Sequence, residues 1–394
     1  MIKKYLLSFV SLFYLSSCTL WATQNNANLP PVNQQQLLQQ LGKQNAHTQN
    51  TAPLTLTKRH IFNVTLNQQN IEHVDFSESH LTDISIHLSN LSQLNLKQSQ
   101  LNNIEFNNVT FKNIDFSNAS IRDATFIHCT FDKVNFNATR FSKVQLSNVR
   151  FINSNLTHVS FTDSQITNSQ LQTSKANHLN IQYTSLNQST LANLDLRNAN
   201  FLGSQLNNID LTASYLFKAN FSYTKIDNSV FNKSDMRTAD FRHATIQHSQ
   251  FSNASLIGIK LENSDASNND FQQADLREAQ LTEANLSHSR FIGANLSLAQ
   301  LNWSNLSHAN LQNANLSKAS LARANLTSAD LTSAVMKWTQ LTMANLTDAN
   351  LQGADLHRSD FGGANLKNTI LTGALHLDTA NGLAKVSNLE FAVF

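Results

Sequence analysis

The stretch "LQNANLSKASLARANLTSADL", Leu311 to Leu331, sets a leucine at every fifth residue. A helix turns about 100° per residue and would smear such a series around its whole surface. A continuous strand would throw successive leucines to opposite faces. A chain that bends every five residues can bury them all, because each short segment then turns its central residue toward a common axis.

The frame extends far beyond this stretch. Between Leu56 and Leu371 there are 64 positions five apart, and only Ala176 and Ala266 lack a large apolar side chain. Of 24 Phe in the chain, 18 fall on these centres. Two residues before each centre sits a second, smaller group: from Ala274 to Ala364, 15 of 19 such positions are Ala. In the N-terminal half the same position holds Val64, Ile84, Ile104 and Val134, which predicts wider coils there. Phe231, Phe251, Phe271 and Phe291 form a series with a spacing of 20, and Phe201, Phe221 and Phe241 another. Identical rings stack well when successive coils lie one strand spacing apart, about 4.8 Å. The spacing therefore predicts a four-sided coil of 20 residues, and repetition of this kind outranks local propensity.

Repeated in this way, the motif (Ala/Ser)-(Asn/Asp)-(Leu/Phe)-x-x resembles that of pentapeptide repeat proteins. The resemblance implies an all-β fold, a right-handed quadrilateral β-helix of about 16 coils, over residues 54–375. Both ends of such a stack expose unpaired backbone and must be covered. Residues 376–394 leave the frame and are read as a C-terminal cap. Residues 18–53, rich in Asn and Gln, are read as a tether, with a short helix in "NQQQLLQQLGK" closed by Gly42.

The first residues read as an export signal over 1–17: Lys3 and Lys4, then the apolar run "YLLSFVSLFYL". That run is too short for a stable membrane span. It ends in "LSSC", Leu15 to Cys18, which resembles the lipobox of bacterial lipoproteins and implies acylation of Cys18. Cleavage after Ala22 in "LWA" is the other reading. Thr19, where an Asp is absent, resembles outer-membrane sorting. With Cys18 lipidated, Cys129 is left alone at a small inward position and is expected to be a buried, inert thiol. Without residues 1–17 the chain has 26 basic and 26 acidic residues, so neither nucleic-acid attraction nor strong anionic character is implied.

Signatures of chemistry are absent from the sequence: no phosphate-binding glycine loop, no Cys-x-x-Cys, no His-Glu-x-x-His and no Gly-x-Ser-x-Gly. No cofactor, metal or catalytic residue is assigned. Eight of 14 His lie two residues after a centre, the outward corner, as do six of the nine Gly. Such corners favour residues that tolerate left-handed backbone. The basic residues between Lys112 and Arg150 are split by the coil register, Arg122, Arg140 and Lys143 to one face and Lys112, Lys133 and Arg150 to the opposite one.

Against mostly polar corners, Leu298, Trp303, Trp338 and Met343 are apolar. Leu298, Lys318 and Trp338 share one corner column, and Trp303, Arg323 and Met343 share its neighbour. These six residues form the candidate partner-binding patch, since exposed Trp beside Arg is typical of binding hot spots. The expected function is a non-enzymatic exported scaffold of the bacterial envelope, lipid-anchored in the outer membrane or periplasm and docking an unidentified protein. A secreted effector acting in another cell is the alternative. Imitation of DNA, which some pentapeptide repeat proteins use against topoisomerases, is disfavoured by the neutral charge and the export signal.

Overall fold

A computed structural model describes residues 29–46, 52–172 and 174–394. Leu15 to Cys18 and Trp21 lie outside the described residues. The chain winds as a parallel β-solenoid whose register between Leu54 and Leu375 is the predicted one: each bridging residue there pairs with the residue 20 places on. One column of bridges runs in such steps from Thr55 and Asp75 to Asp355 and Leu375 without a break.

Core and corners explain the repeat residue by residue. The centres are buried, among them Leu311, Leu316, Leu321, Leu326 and Leu331 of the opening stretch. Buried Phe rings stack along the axis, with centroids 4.8 Å apart between Phe231 and Phe251 and 4.9 Å between Phe251 and Phe271. The smaller inward residues are buried too, and where one is Ser or Thr its hydroxyl commonly donates to a backbone carbonyl, either in its own coil, as Ser234 does to Phe231 at 2.7 Å, or in the coil before. Ser214 reaches the Leu191 carbonyl at 2.7 Å and Thr339 that of Leu316 at 2.9 Å. The Asn before each centre serves twice. Asn325 Oδ1 accepts the Thr327 backbone N–H at 3.2 Å, fixing the corner, while Asn325 Nδ2 donates to Asn305 Oδ1 at 3.0 Å, one coil back.

The two halves differ in the length of their strands. Where Val64, Ile84 and Ile104 fill the second inward position, eight-residue strands run through the corner, over His60–Asn67, His80–His87 and Gln100–Asn107. Past residue 250, where Ala dominates, each side narrows to a single bridging residue between turns. One centre departs from the frame: Leu81 is only half-buried, while His80 before it is buried.

Both ends are closed. Part of the stretch read as tether joins the fold: β1 (Pro31–Val32) pairs in parallel with His60–Ile61. Helix α1 (Gln34–Ala46) follows and lays Leu37 and Leu41 on the end of the core. Its start is a reciprocal capping pair, in which Gln36 N–H donates to Asn33 Oδ1 and Asn33 N–H to Gln36 Oε1, both at 3.0 Å. Gly42 does not close this helix as expected. It keeps right-handed backbone, and the helix runs four residues further to Ala46.

At the C-terminus the period lengthens from five to six. Bridges join Asp360 to Asn381, Asn365 to Ser387 and Ile370 to Val393, so each side of the last coil gains one residue. Leu377, Leu383 and Leu389 recur at this spacing in 3₁₀ turns and pack on the core below. Gly382 must be a glycine. Its φ is +78°, and a Cβ there would lie 2.5 Å from the backbone nitrogen of Gly362. His376 ties the cap to the coil below, its Nδ1 lying 2.9 Å from Asp355 Oδ1. Burial pushes the Asp355 carboxyl up, but hydrogen bonds from His376, Lys337 and the His357 backbone outweigh it, holding the group below the ordinary carboxylate range.

Candidate docking surface

The corners are where side chains leave the rod. Every fifth residue adopts left-handed backbone, including Leu298, Trp303, Lys318, Arg323, Trp338 and Met343 with φ between 59° and 64°. For an L-residue this conformation costs about 1–2 kcal/mol. The ladder holds it in place: the Trp303 N–H donates to the Ala322 carbonyl at 3.0 Å, and the Trp338 N–H to that of His357 at 2.9 Å. A bulky residue is thereby locked outward on a rigid support.

All four apolar members of the patch are exposed: Leu298 by 46%, Trp303 by 55%, Trp338 by 47% and Met343 by 56%. The cations lie against the rings. The Arg323 guanidinium carbon stands 4.4 Å from the Trp303 ring centroid. Trp338 is faced in the same way by Arg358, at 4.6 Å, and meets the His357 ring edge-on with centroids 6.1 Å apart. Arg358 was not among the six residues read from sequence. The 20-residue register points to it, because it follows Trp338 directly in the corner column.

Between the two corner columns lies a flat polar face that satisfies itself. Ser320 Oγ donates to Asn302 Oδ1 at 2.6 Å, which also accepts the Ala322 N–H at 3.1 Å. The whole is a level amide and hydroxyl strip edged by indoles, a thioether and three cations, Lys318, Arg323 and Arg358. Such a surface can pack against flat aromatic or acidic groups without a cavity.

Other corners also carry large exposed side chains. Leu88, Tyr183 and Tyr223 occupy corner positions and are exposed, so apolar corners are less rare than the sequence reading held. What sets the Trp303–Trp338 region apart is the pairing of each indole with an arginine one coil on. The stacked histidines, His158 on His178 and His288 on His308, have ring centroids 4.7 Å and 4.8 Å apart. Among the described residues no group of three or more His, Cys, Asp or Glu is placed to hold a metal ion. No helix among them is long and apolar enough to cross a membrane.

Comparison with known proteins bears on the fold. A family model described as a pentapeptide repeat region matches residues 59–136, 104–181, 124–201 and 144–221. A second, for pentapeptide repeats in eight copies, matches residues 219–258, 247–282, 259–297, 299–337, 309–348 and 334–374. A search of curated proteins finds no match. Among solved structures, the chain is similar to HetL from the cyanobacterium Nostoc sp. strain PCC 7120, a pentapeptide repeat protein involved in heterocyst differentiation regulation. Identity is 30%, over 52% of this chain and 89% of HetL, with a TM-score of 0.39. It is also similar to QnrB1, a plasmid-mediated fluoroquinolone resistance protein, at 19% identity over 47% of this chain and 93% of QnrB1, TM-score 0.29. A third similar structure is a protein of the Arabidopsis thaliana thylakoid lumen, at 24% identity over 29% of this chain and 88% of that one, TM-score 0.17.

Proposed function

The chain belongs to the pentapeptide repeat family, and from that premise we propose that it is a non-enzymatic docking scaffold of the bacterial envelope. The solenoid is a rigid support whose corners present side chains at fixed spacing. The observation that carries the reading is the arginine-faced pair of indoles at Trp303 and Trp338, on the edges of a flat strip. A protein partner with acidic or aromatic side chains fits that surface. The opening lysines and the apolar run to "LSSC" support export and a lipid on Cys18, which would hold the rod to a membrane.

Two experiments test the two halves of this reading. Palmitate labelling in growing cells should depend on Cys18 and vanish in Cys18→Ala. A parent protein that is never labelled and is recovered from culture supernatant would instead favour the secreted effector. Crosslinking in living cells should capture partners that drop out when Trp303 and Trp338 are both changed to Ser. Crosslinks that persist in the double variant place docking elsewhere on the rod, and topoisomerase among the captured partners would revive DNA imitation.

A further inference from the structure

An Asn side chain can be attacked by the backbone nitrogen of the residue that follows it, and the coils of this rod guard against that. Asn325 shows how. The nitrogen that follows, that of Leu326, has its N–H tied to the Asn345 carbonyl at 2.7 Å. The Asn325 carboxamide is itself held at both atoms, by the Thr327 N–H and by Asn305. Leu326 also brings a Cβ that crowds the approach.

At the C-terminal cap all three guards are missing. Asn381 is followed by Gly382, the only Asn-Gly pair in the sequence, so no Cβ hinders the nitrogen. The Asn381 carbonyl accepts the Phe361 N–H of the coil below at 2.9 Å. A trans peptide then points the Gly382 N–H the opposite way, toward the end of the rod. Among the described residues nothing accepts it there. The Asn381 side chain is exposed and makes no hydrogen bond among the described residues.

We propose that Asn381 is a site of spontaneous modification that loosens the C-terminal cap. The Gly382 nitrogen attacks the side-chain carbonyl carbon of Asn381. A new C–N bond closes a five-membered succinimide, the bond to the side-chain nitrogen breaks, and that nitrogen leaves as ammonia with the Gly382 amide proton. Water opens the ring at either carbonyl. The product is an aspartate or, with the main chain rerouted through the side chain, an isoaspartate.

Ring closure needs Asn381 to turn out of its extended bridge to Asp360, which breaks its 2.7 Å bond to the Ser359 carbonyl and the bond from Phe361. A coil packed on one side only opens locally at low cost. Both products then resist closing again. The new carboxylate stands beside Asp360 on the coil below, and the like charges repel. Isoaspartate also adds a backbone atom next to Gly382, where the Gly362 nitrogen leaves no room even for a Cβ.

The test is incubation of the full chain at pH 8 beside a peptide of residues 377–385, with mapping by mass spectrometry. After about ten half-lives of the peptide, about half or more of Asn381 should be converted, the extent expected if the cap is open about a tenth of the time. Asn325 and Asn345 should keep their amides. Trypsin should then cut the aged protein after Lys385 several times faster than fresh protein. Asn381→Gln, which would have to close a less favourable six-membered ring, should age without change in mass or cleavage. Asn381 left mostly as the amide at that time overturns the proposal, as does conversion no faster than at Asn325 and Asn345. Equal cleavage of fully converted and fresh protein overturns it as well.

Discussion

The Arg323 guanidinium carbon lies 4.4 Å from the centroid of the Trp303 ring, one coil further along the rod. A cation over an exposed indole contributes about 0.5–1 kcal/mol and leaves the other ring face to solvent. Iodide should therefore quench both Trp303 and Trp338 in a Trp21→Phe background. Changing both to Ser should alter stability by no more than about 1 kcal/mol. Blue-shifted, unquenched emission would mean that the indoles are buried and the patch does not exist.

Phe251 lies between Phe231 and Phe271, with ring planes 3° and 14° from its own. Phe251→Ala opens a cavity that backbone bridged on both sides cannot collapse into. The expected loss is about 3–5 kcal/mol in chemical denaturation. Because each coil contacts only its neighbours, hydrogen exchange should rise most in the coils nearest residue 251. A uniform rise along the rod would contradict nearest-neighbour stability.

Cys129 is buried, its Sγ 3.5 Å from the Phe106 carbonyl and 3.4 Å from that of Ile127. Burial raises its pKa from 9.0 to about 11. In a Cys18→Ser background the thiol should resist a disulfide reagent at pH 8 until the chain unfolds. A raised acid pKa means that the unfolded chain loses its proton first as pH climbs. Stability from this group is thus complete below pH 9.0 and is lost as pH rises to about 11. Cys129→Ala should flatten that part of the stability–pH profile; an identical profile would show the thiol to be uninvolved.

Gly382 faces Gly362 backbone to backbone across the last two coils. Gly382→Ala meets both a left-handed φ and the Gly362 nitrogen, and should cost more than about 1 kcal/mol. Limited proteolysis should then cut between residues 376 and 394 before anywhere else among the coils. Unchanged cleavage would mean that the cap closes by some other contact.

Several features were legible in the chain alone, for a common reason. Whether a residue such as Leu316 or Phe271 is a centre depends only on its place in a local five-residue unit. The coil length was legible because stacking rewards identical rings, and Phe231, Phe251 and Phe271 record it. Outward corners were legible for the same reason, so Trp303 and Trp338 could be assigned to solvent before any coordinates. The six-residue cap left a trace in Leu377, Leu383 and Leu389, but three recurrences are too few to stand out.

Other features depend on what lies opposite. That Arg358 covers Trp338 while Lys318 makes no ring contact is a matter of which rotamer the next coil leaves open. That Leu81 is only half-buried while His80 before it is buried depends on what packs against each of them, which the five-residue frame does not encode. Periodicity assigns each residue to a face from its neighbours in the chain. The depth of a face is set by the volume packed behind it, contributed by residues 20 and 40 places away, and only the folded coil sums those volumes.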